Sequence, residues 1–79
     1  MKISNAVSAK LTKLCRERKI TINKLAGICG ITQSTLENII AGNSKNPKLL
    51  TIVRVCDGLD ITLKDFFSDP VFSKIDRAD

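Results

Sequence analysis

Residues 22–41 read INKLAGICGITQSTLENIIA, and this stretch decides the fold. Two short apolar stripes at helical spacing meet at Gly30, which predicts two helices joined by a turn of about three or four residues. Ala26 is small where the two helices must cross closely, and Gly30 supplies the positive φ that turns the chain at low cost. Leu25 and Leu36 are expected to fill the inside of this corner.

Three further helices are predicted from apolar residues that recur at spacings of three and four. The five predicted helices cover about residues 5–18, 22–29, 33–41, 48–59 and 62–67. Thr21, Thr32 and Thr62 are expected N-caps, and Asp65 completes a capping box with Thr62. Because no stretch alternates with a two-residue period, we predict an all-α fold, a compact five-helix bundle in which helices 2 and 3 form a helix-turn-helix.

Most of the expected core follows from the apolar face of each helix. The inward residues are predicted to be Val7, Leu11, Leu14, Cys15, Leu25, Ala26, Cys29, Leu36, Ile39, Ile40, Leu49, Ile52, Val53, Cys56 and Leu59. The chain of 79 residues is expected to form one domain, residues 1–67, followed by a short and partly frayed tail, residues 68–79.

The charge of the chain is unevenly distributed. Residues 1–56 carry ten Lys or Arg and two acidic residues, whereas residues 57–79 carry three Lys or Arg and six Asp. A basic half suggests a polyanionic partner, with the acidic remainder facing away from it. Charge alone does not distinguish a surface that binds such a partner from an ordinary solvated surface.

Several classes of protein are disfavoured by composition. The sequence has no His, so His-based acid–base chemistry is excluded, and it has no Gly-rich phosphate loop. Cys15, Cys29 and Cys56 are expected to be small core residues rather than metal ligands. We therefore expect no enzyme activity, no cofactor, no metal and no small-molecule ligand. No apolar run approaches the ~20 residues that cross a membrane, and the start does not resemble a signal peptide, so a cytoplasmic protein is expected.

The sequence resembles the helix-turn-helix domain of the phage repressor and Cro proteins, the XRE family. The resemblance covers about residues 5–67 and rests on Leu25-Ala26, on GITQSTL at 30–36, on GNSKNP at 42–47 and on CDGLDIT at 56–62. It implies a lambda-repressor-like fold whose third helix lies in the major groove of double-stranded DNA. It also implies transcriptional regulation, by repression, and a homodimer that is weak in free solution and completed on DNA.

The resemblance places base-reading residues on helix 3. They are Gln33, Ser34 and Asn38; Glu37 faces the same way, where it either accepts from cytosine N4 or repels phosphates. Gln and Asn amides can pair bidentately with adenine, and Ser can donate or accept. Many relatives carry a Gln at the position of Ile22, and this Gln holds the first base-reading residue in place. Ile22 cannot form such a polar contact.

Other positions are assigned to the DNA backbone and to the dimer. The expected phosphate-binding residues are Thr21, Asn43, Ser44, Lys45, Asn46 and Lys48. The resemblance suggests dimer contacts at Leu50, Ile61 and Leu63.

A rival interpretation is a protein-interaction module, or an antitoxin, that keeps this fold with a protein as its main partner. The acidic stretch together with Phe66, Phe67, Val71 and Phe72 could form such a surface. The alternative role for these aromatic rings is to close the bottom of the bundle.

Overall fold

A computed structural model of the chain describes residues 1–76. It contains five α-helices and a terminal 3-10 helix, and no strand occurs in this range. The helices are α1 (Ile3–Arg18), α2 (Ile22–Cys29), α3 (Gln33–Ile40), α4 (Leu49–Leu59), α5 (Leu63–Phe67) and the 3-10 helix η1 (Pro70–Lys74). The predicted all-α, five-helix architecture is confirmed, with α1 beginning two residues earlier than expected. None of the helices within residues 1–76 is both long and apolar enough to span a bilayer.

Two of the three predicted threonine caps act as expected. The Thr21 hydroxyl accepts a hydrogen bond from Lys24 N at 3.1 Å, and Thr62 with Asp65 forms a capping box at the start of α5. Thr32 occupies the N-cap position of α3, but no backbone N–H donates to its side chain. Its hydroxyl lies 2.7 Å from that of Thr35, so the prediction of side-chain capping was wrong at this helix.

The core forms where α1 packs on α3, α2 packs on α3 and α4, and α4 packs on α5. Phe66, Leu25, Leu36 and Val55 are completely buried. Close packing of α2 on α4 depends on Gly58, because a Cβ at this position would lie 2.6 Å from Cys29 Sγ and 3.1 Å from Cys29 Cα.

The predicted core is partly wrong in helix α4. Its buried stripe is formed by Ile52, Val55, Cys56 and Leu59. Val55, which was not predicted to face inward, is 0% exposed, whereas Val53 is half-buried. Leu49 was predicted to be inward but is 61% exposed, because the apolar stripe extends one turn beyond the core that covers it.

The C-terminal segment is held on α1 by an ion-pair cluster. Asp69 Oδ2 lies 3.0 Å from Lys13 Nζ and 3.4 Å from Lys10 Nζ, and its other oxygen accepts from Val71 N at 3.0 Å. The hydrogen bond from Val71 and the neighbouring Lys13 ammonium lower the pKa of Asp69 to about 2. Residues 70–74, part of the tail that was expected to be partly frayed, form η1 against α1. Residues 77–79 of the predicted tail lie outside the described residues.

Candidate nucleic-acid interface

The two faces of α3 differ sharply in burial. Leu36 is 0% and Ile39 3% exposed, which fixes one face of the helix against the core. The side chains predicted to read bases all lie on the exposed part of the helix: Gln33, Ser34, Glu37 and Asn38. Ile40, predicted to be fully inward, is half-buried at the edge of the core. The polar side of α3 is therefore free to enter a groove.

The angle between α2 and α3 is set by the glycine corner. Gly30 has a φ of 66° and ends α2, and Ile31 N donates to Ala26 O at 3.0 Å. Ala26 and Leu25 are buried, while Ile31 packs half-buried against the core. A side chain at position 30 would be strained in this left-handed conformation. Local backbone geometry and packing thus hold the start of α3 in one orientation.

The far end of α3 is tied to α1. The Ser8 hydroxyl donates to Ile40 O at 2.7 Å, which satisfies a carbonyl of the last helical turn. Gly42 follows with a φ of 79°, and Asn43 N donates to Asn38 O at 2.9 Å. These contacts fix both ends of α3 rather than only the corner.

A side-chain hydrogen bond joins two of the candidate base readers. Gln33 Nε2 donates to Glu37 Oε1 at 2.6 Å, across one helical turn, and both residues are exposed. Pairs at this spacing lie on the same face of a helix. The bond gives the Gln33 amide a defined partner before any ligand is present.

A polar loop and groove adjoin the recognition face. The groove, of about 570 Å³, lies between the end of the glycine corner, α3, the loop of residues 41–48 and the first turns of α4. Of the predicted phosphate-binding residues, Asn43, Ser44, Asn46 and Lys48 line it. Lys45 is exposed in the same loop, and Thr21 lies apart from it, at the N-terminus of α2.

Three groove residues were missed by sequence reasoning. Thr35, Thr51 and Arg54 line the same groove. Arg54 is exposed on α4, off its buried stripe, and this outward position beside a basic loop is the signal that could have identified it. The guanidinium adds a donor group suited to phosphate oxygens.

Comparison with known proteins agrees with this geometry. The model of the Cro/C1-type HTH DNA-binding domain matches residues 10–70. The chain belongs to the Cro/C1-type helix-turn-helix family. It is also similar to the protein in the crystal structure of the prophage Lp1 protein 11, with 37% identity, a TM-score of 0.81, and coverage of 95% of this chain and 100% of that one. A search of curated proteins finds no match.

Membership of the Cro/C1-type family makes this chain a DNA-binding helix-turn-helix regulator. The recognition helix of such a domain is the second helix of the motif, which is α3 here. The residues proposed to read bases therefore lie on the helix that the family presents to DNA.

The three cysteines are buried at the interior of this Cro/C1-type domain. Burial raises the pKa of the Cys15, Cys29 and Cys56 thiols. Cys29 Sγ also donates to Val55 O at 3.8 Å, a contact between α2 and α4. Within residues 1–76, no cluster of three His, Cys, Asp or Glu side chains is arranged to hold a metal ion. The thiols fill space between helices.

Exposed apolar side chains occur at the start of α4, where Leu50 lines the groove, and on α5. Leu50 is 57% and Leu63 40% exposed, and both were predicted dimer contacts, whereas Ile61 is half-buried. Leu49 adds a further exposed leucine beside Leu50 at the start of α4.

The aromatic residues considered for a protein-binding surface lie mostly inside. Phe66 is buried, Phe72 is half-buried, and their ring centroids are 5.7 Å apart. Phe67 lies 4.9 Å from the Phe72 ring and keeps 38% of its surface exposed. Val71 is half-buried. This arrangement favours the interpretation that the rings close the bottom of the bundle over that of a protein-binding surface.

Proposed function

We propose that the chain is a transcriptional repressor that binds a specific sequence of double-stranded DNA with α3 in the major groove. The observation that carries the proposal is the two-sided character of α3. Leu36 and Ile39 fix the helix on the core, and Gln33, Ser34 and Asn38 are exposed on its other side. Amide and hydroxyl groups supply the donor and acceptor pairs that distinguish bases in the major groove.

Backbone contacts on both sides of the recognition helix would set its register. On one side, Lys45 and Lys48 supply charge, and Asn43, Ser44 and Asn46 supply neutral donors. On the other, Thr21 caps α2, where the free N–H groups of a helix N-terminus favour an anion. Arg54 is added to this set because it lines the groove beside the loop.

The DNA-bound form is proposed to be a homodimer. One helix-turn-helix contacts too few base pairs to select a single site in a genome, and two-fold related domains read two half-sites about one helical turn apart. The exposed leucines at positions 49, 50 and 63 support a contact at α4 and α5. Binding of the second copy would then be assisted by the first on the DNA.

The proposal is tested by selecting bound duplexes from a random pool and measuring affinity by fluorescence anisotropy. Gln33→Ala and Asn38→Ala are each expected to weaken binding to the selected duplex by about 5- to 150-fold, with little change for a scrambled duplex. Thr12→Ala, which removes an exposed hydroxyl from α1, is the matched control and should bind like the wild type. Equal affinity of the wild type for selected and scrambled duplexes would contradict the proposal.

A further inference from the structure

The hydrogen bond between Gln33 and Glu37 carries an inference about how one base is read, and this inference rests on the proposed function. Gln33 Nε2 and Glu37 Oε1 are 2.6 Å apart on the exposed face of α3. Among the described residues, Glu37 is the one side chain to which Gln33 is hydrogen-bonded. Any control over the Gln33 amide before DNA arrives therefore comes from Glu37.

The charge of Glu37 determines which way the amide points. An ionised carboxylate only accepts hydrogen bonds, whereas a Gln amide has an accepting oxygen and a donating nitrogen. The opposite orientation would place the Gln33 oxygen at a similarly short distance from a carboxylate oxygen, and the two would repel each other. Glu37 thus selects the orientation in which the Gln33 nitrogen faces it.

The remaining hydrogen-bonding groups of Gln33 match adenine. With one N–H directed to Glu37, the amide keeps one N–H donor and its carbonyl oxygen. Adenine presents N7 as an acceptor and the N6 amino group as a donor in the major groove, the complement of that pair. We propose that Gln33 reads an adenine and that Glu37 is a positioning residue, which holds the Gln33 amide in the orientation that this base requires.

Two alternative roles of Glu37 make different demands on the side chain. If Glu37 acts only by repelling phosphates, its charge alone is needed. If it accepts directly from a cytosine, its removal changes the preference at a second base pair. A positioning role requires a side chain of this length that only accepts hydrogen bonds, and its loss affects the base pair that Gln33 reads.

A pair of neutral variants separates these roles. Glu37→Gln and Glu37→Met are similar in length and both remove the charge. The Gln amide can donate as well as accept, so it can bond Gln33 in either orientation, and Met bonds it in neither. Each variant, with the wild type and Gln33→Ala, is used to select duplexes from the same random pool, and affinities are then measured on the selected duplex and its single-base variants. Melting temperatures are measured as well. Those of the two neutral variants are expected to stay near that of the wild type, because the Gln33–Glu37 pair is exposed.

The expected result has two parts. Both neutral variants bind the scrambled duplex more tightly than the wild type, by a similar factor, because a negative charge near the phosphates is gone. Both variants also lose preference for adenine, by about 3- to 10-fold out of the roughly 5- to 150-fold that a bidentate contact supplies, because neither selects one orientation of the Gln33 amide. In a Gln33→Ala background, Glu37→Met should cause no further loss at that base pair.

Several results would overturn the inference while leaving the proposed function intact. They are an unchanged adenine preference in either neutral variant, a change at a base pair that Gln33→Ala does not affect, or a base other than adenine at the Gln33 position. A wild-type protein that enriches no sequence would overturn the proposed function, and this inference with it.

Discussion

Gly58 has less room for a side chain than the other glycines of this domain, because a Cβ at this position would lie against Cys29. Helices α2 and α4 meet where Gly58 has no side chain, and α2 in turn carries the corner that aims α3. A methyl group at position 58 would meet a backbone atom as well as a flexible sulfur. The orientation of the recognition helix therefore depends on a residue that lies on another helix and makes no contact with DNA in the proposed complex.

We predict that Gly58→Ala lowers the free energy of unfolding by about 1–3 kcal/mol, the usual cost of overpacking a core. The added Cβ would lie 2.6 Å from Cys29 Sγ and 3.1 Å from Cys29 Cα, so one of the helices must shift. Denaturation with urea, followed by circular dichroism, measures the change. Cys29→Ala in the same protein should restore only part of the loss, because the backbone contact remains.

Gly27→Ala is the matched control for this substitution. Gly27 lies within α2 and a Cβ there meets nothing within 4 Å. Alanine is favoured over glycine in a helix by about 0.5–1 kcal/mol, so this variant should be more stable than the wild type. If both glycine variants changed stability in the same direction, the close approach at Gly58 would not be the cause.

At the scale of the helices, α2 and α3 begin differently although both follow a threonine. The Thr21 hydroxyl accepts from the backbone of α2, whereas the Thr32 hydroxyl pairs with the Thr35 hydroxyl. We predict that Thr21→Ala costs about 1 kcal/mol of stability and that Thr32→Ala costs clearly less, since only the first removes a backbone cap. Thermal unfolding of the free proteins measures both, and an equal loss would contradict the distinction.

The elements that the sequence predicted well are those determined by neighbours along the chain. Gly30, Ala26 and Leu25 could be placed because a helical corner needs a left-handed residue, a small residue and an apolar residue within a few positions. The hydrogen bond between Gln33 and Glu37 was not predicted, although their spacing of four residues places both side chains on one face of a helix.

The features that the sequence did not predict depend on distant parts of the chain. Leu49 lies on the apolar stripe of α4, but whether it is covered depends on where the other helices end. The docking of η1 was missed because it requires Asp69 to meet Lys10 and Lys13, more than fifty residues away. Periodicity indicates which face of a helix is apolar, but it does not indicate how far the partner surface extends.

The Asp69 cluster links the C-terminal segment to α1 in a pH-dependent manner. The folded-state pKa of Asp69, about 2, is below its ordinary value of 3.8, so the folded state favours the ionised carboxylate. Its contribution to stability is therefore fully present above about pH 5 and is lost as pH falls through the folded-state pKa. We predict that Asp69→Asn melts at a lower temperature than the wild type at pH 7.

The comparison across pH distinguishes the charge of Asp69 from its role as a cap. Asparagine keeps an oxygen that can accept from Val71 N but cannot attract Lys13. The difference in melting temperature between wild type and Asp69→Asn should shrink steadily between pH 4 and pH 2. A difference that stays constant over this range would show that the ionised carboxylate is not what stabilises the contact.

Across the whole molecule, the basic charge is divided between two tasks. Lys10 and Lys13 belong to the basic half of the sequence, yet both lie within 3.4 Å of Asp69 Oδ2 and hold the C-terminal segment. Lys45 and Lys48 lie in or next to the loop after α3, and Arg54 lines the groove there. The net charge of +5 therefore does not describe how the domain would attract a polyanion. Part of the positive charge is paired with Asp69, and another part lies beside the groove.

This division predicts that the salt dependence of DNA binding is set by particular lysines rather than by net charge. Each phosphate neutralised adds about 0.9 to the slope of log affinity against log salt concentration. Lys45→Ala and Lys64→Ala each remove one positive charge from an exposed position, but Lys64 lies on α5 among the aspartates. The slope should fall by about 0.9 for Lys45→Ala and stay unchanged for Lys64→Ala, measured with one duplex at several KCl concentrations. Equal changes for the two variants would mean that DNA responds to the overall charge, and the loop after α3 would then have no special part in holding the backbone.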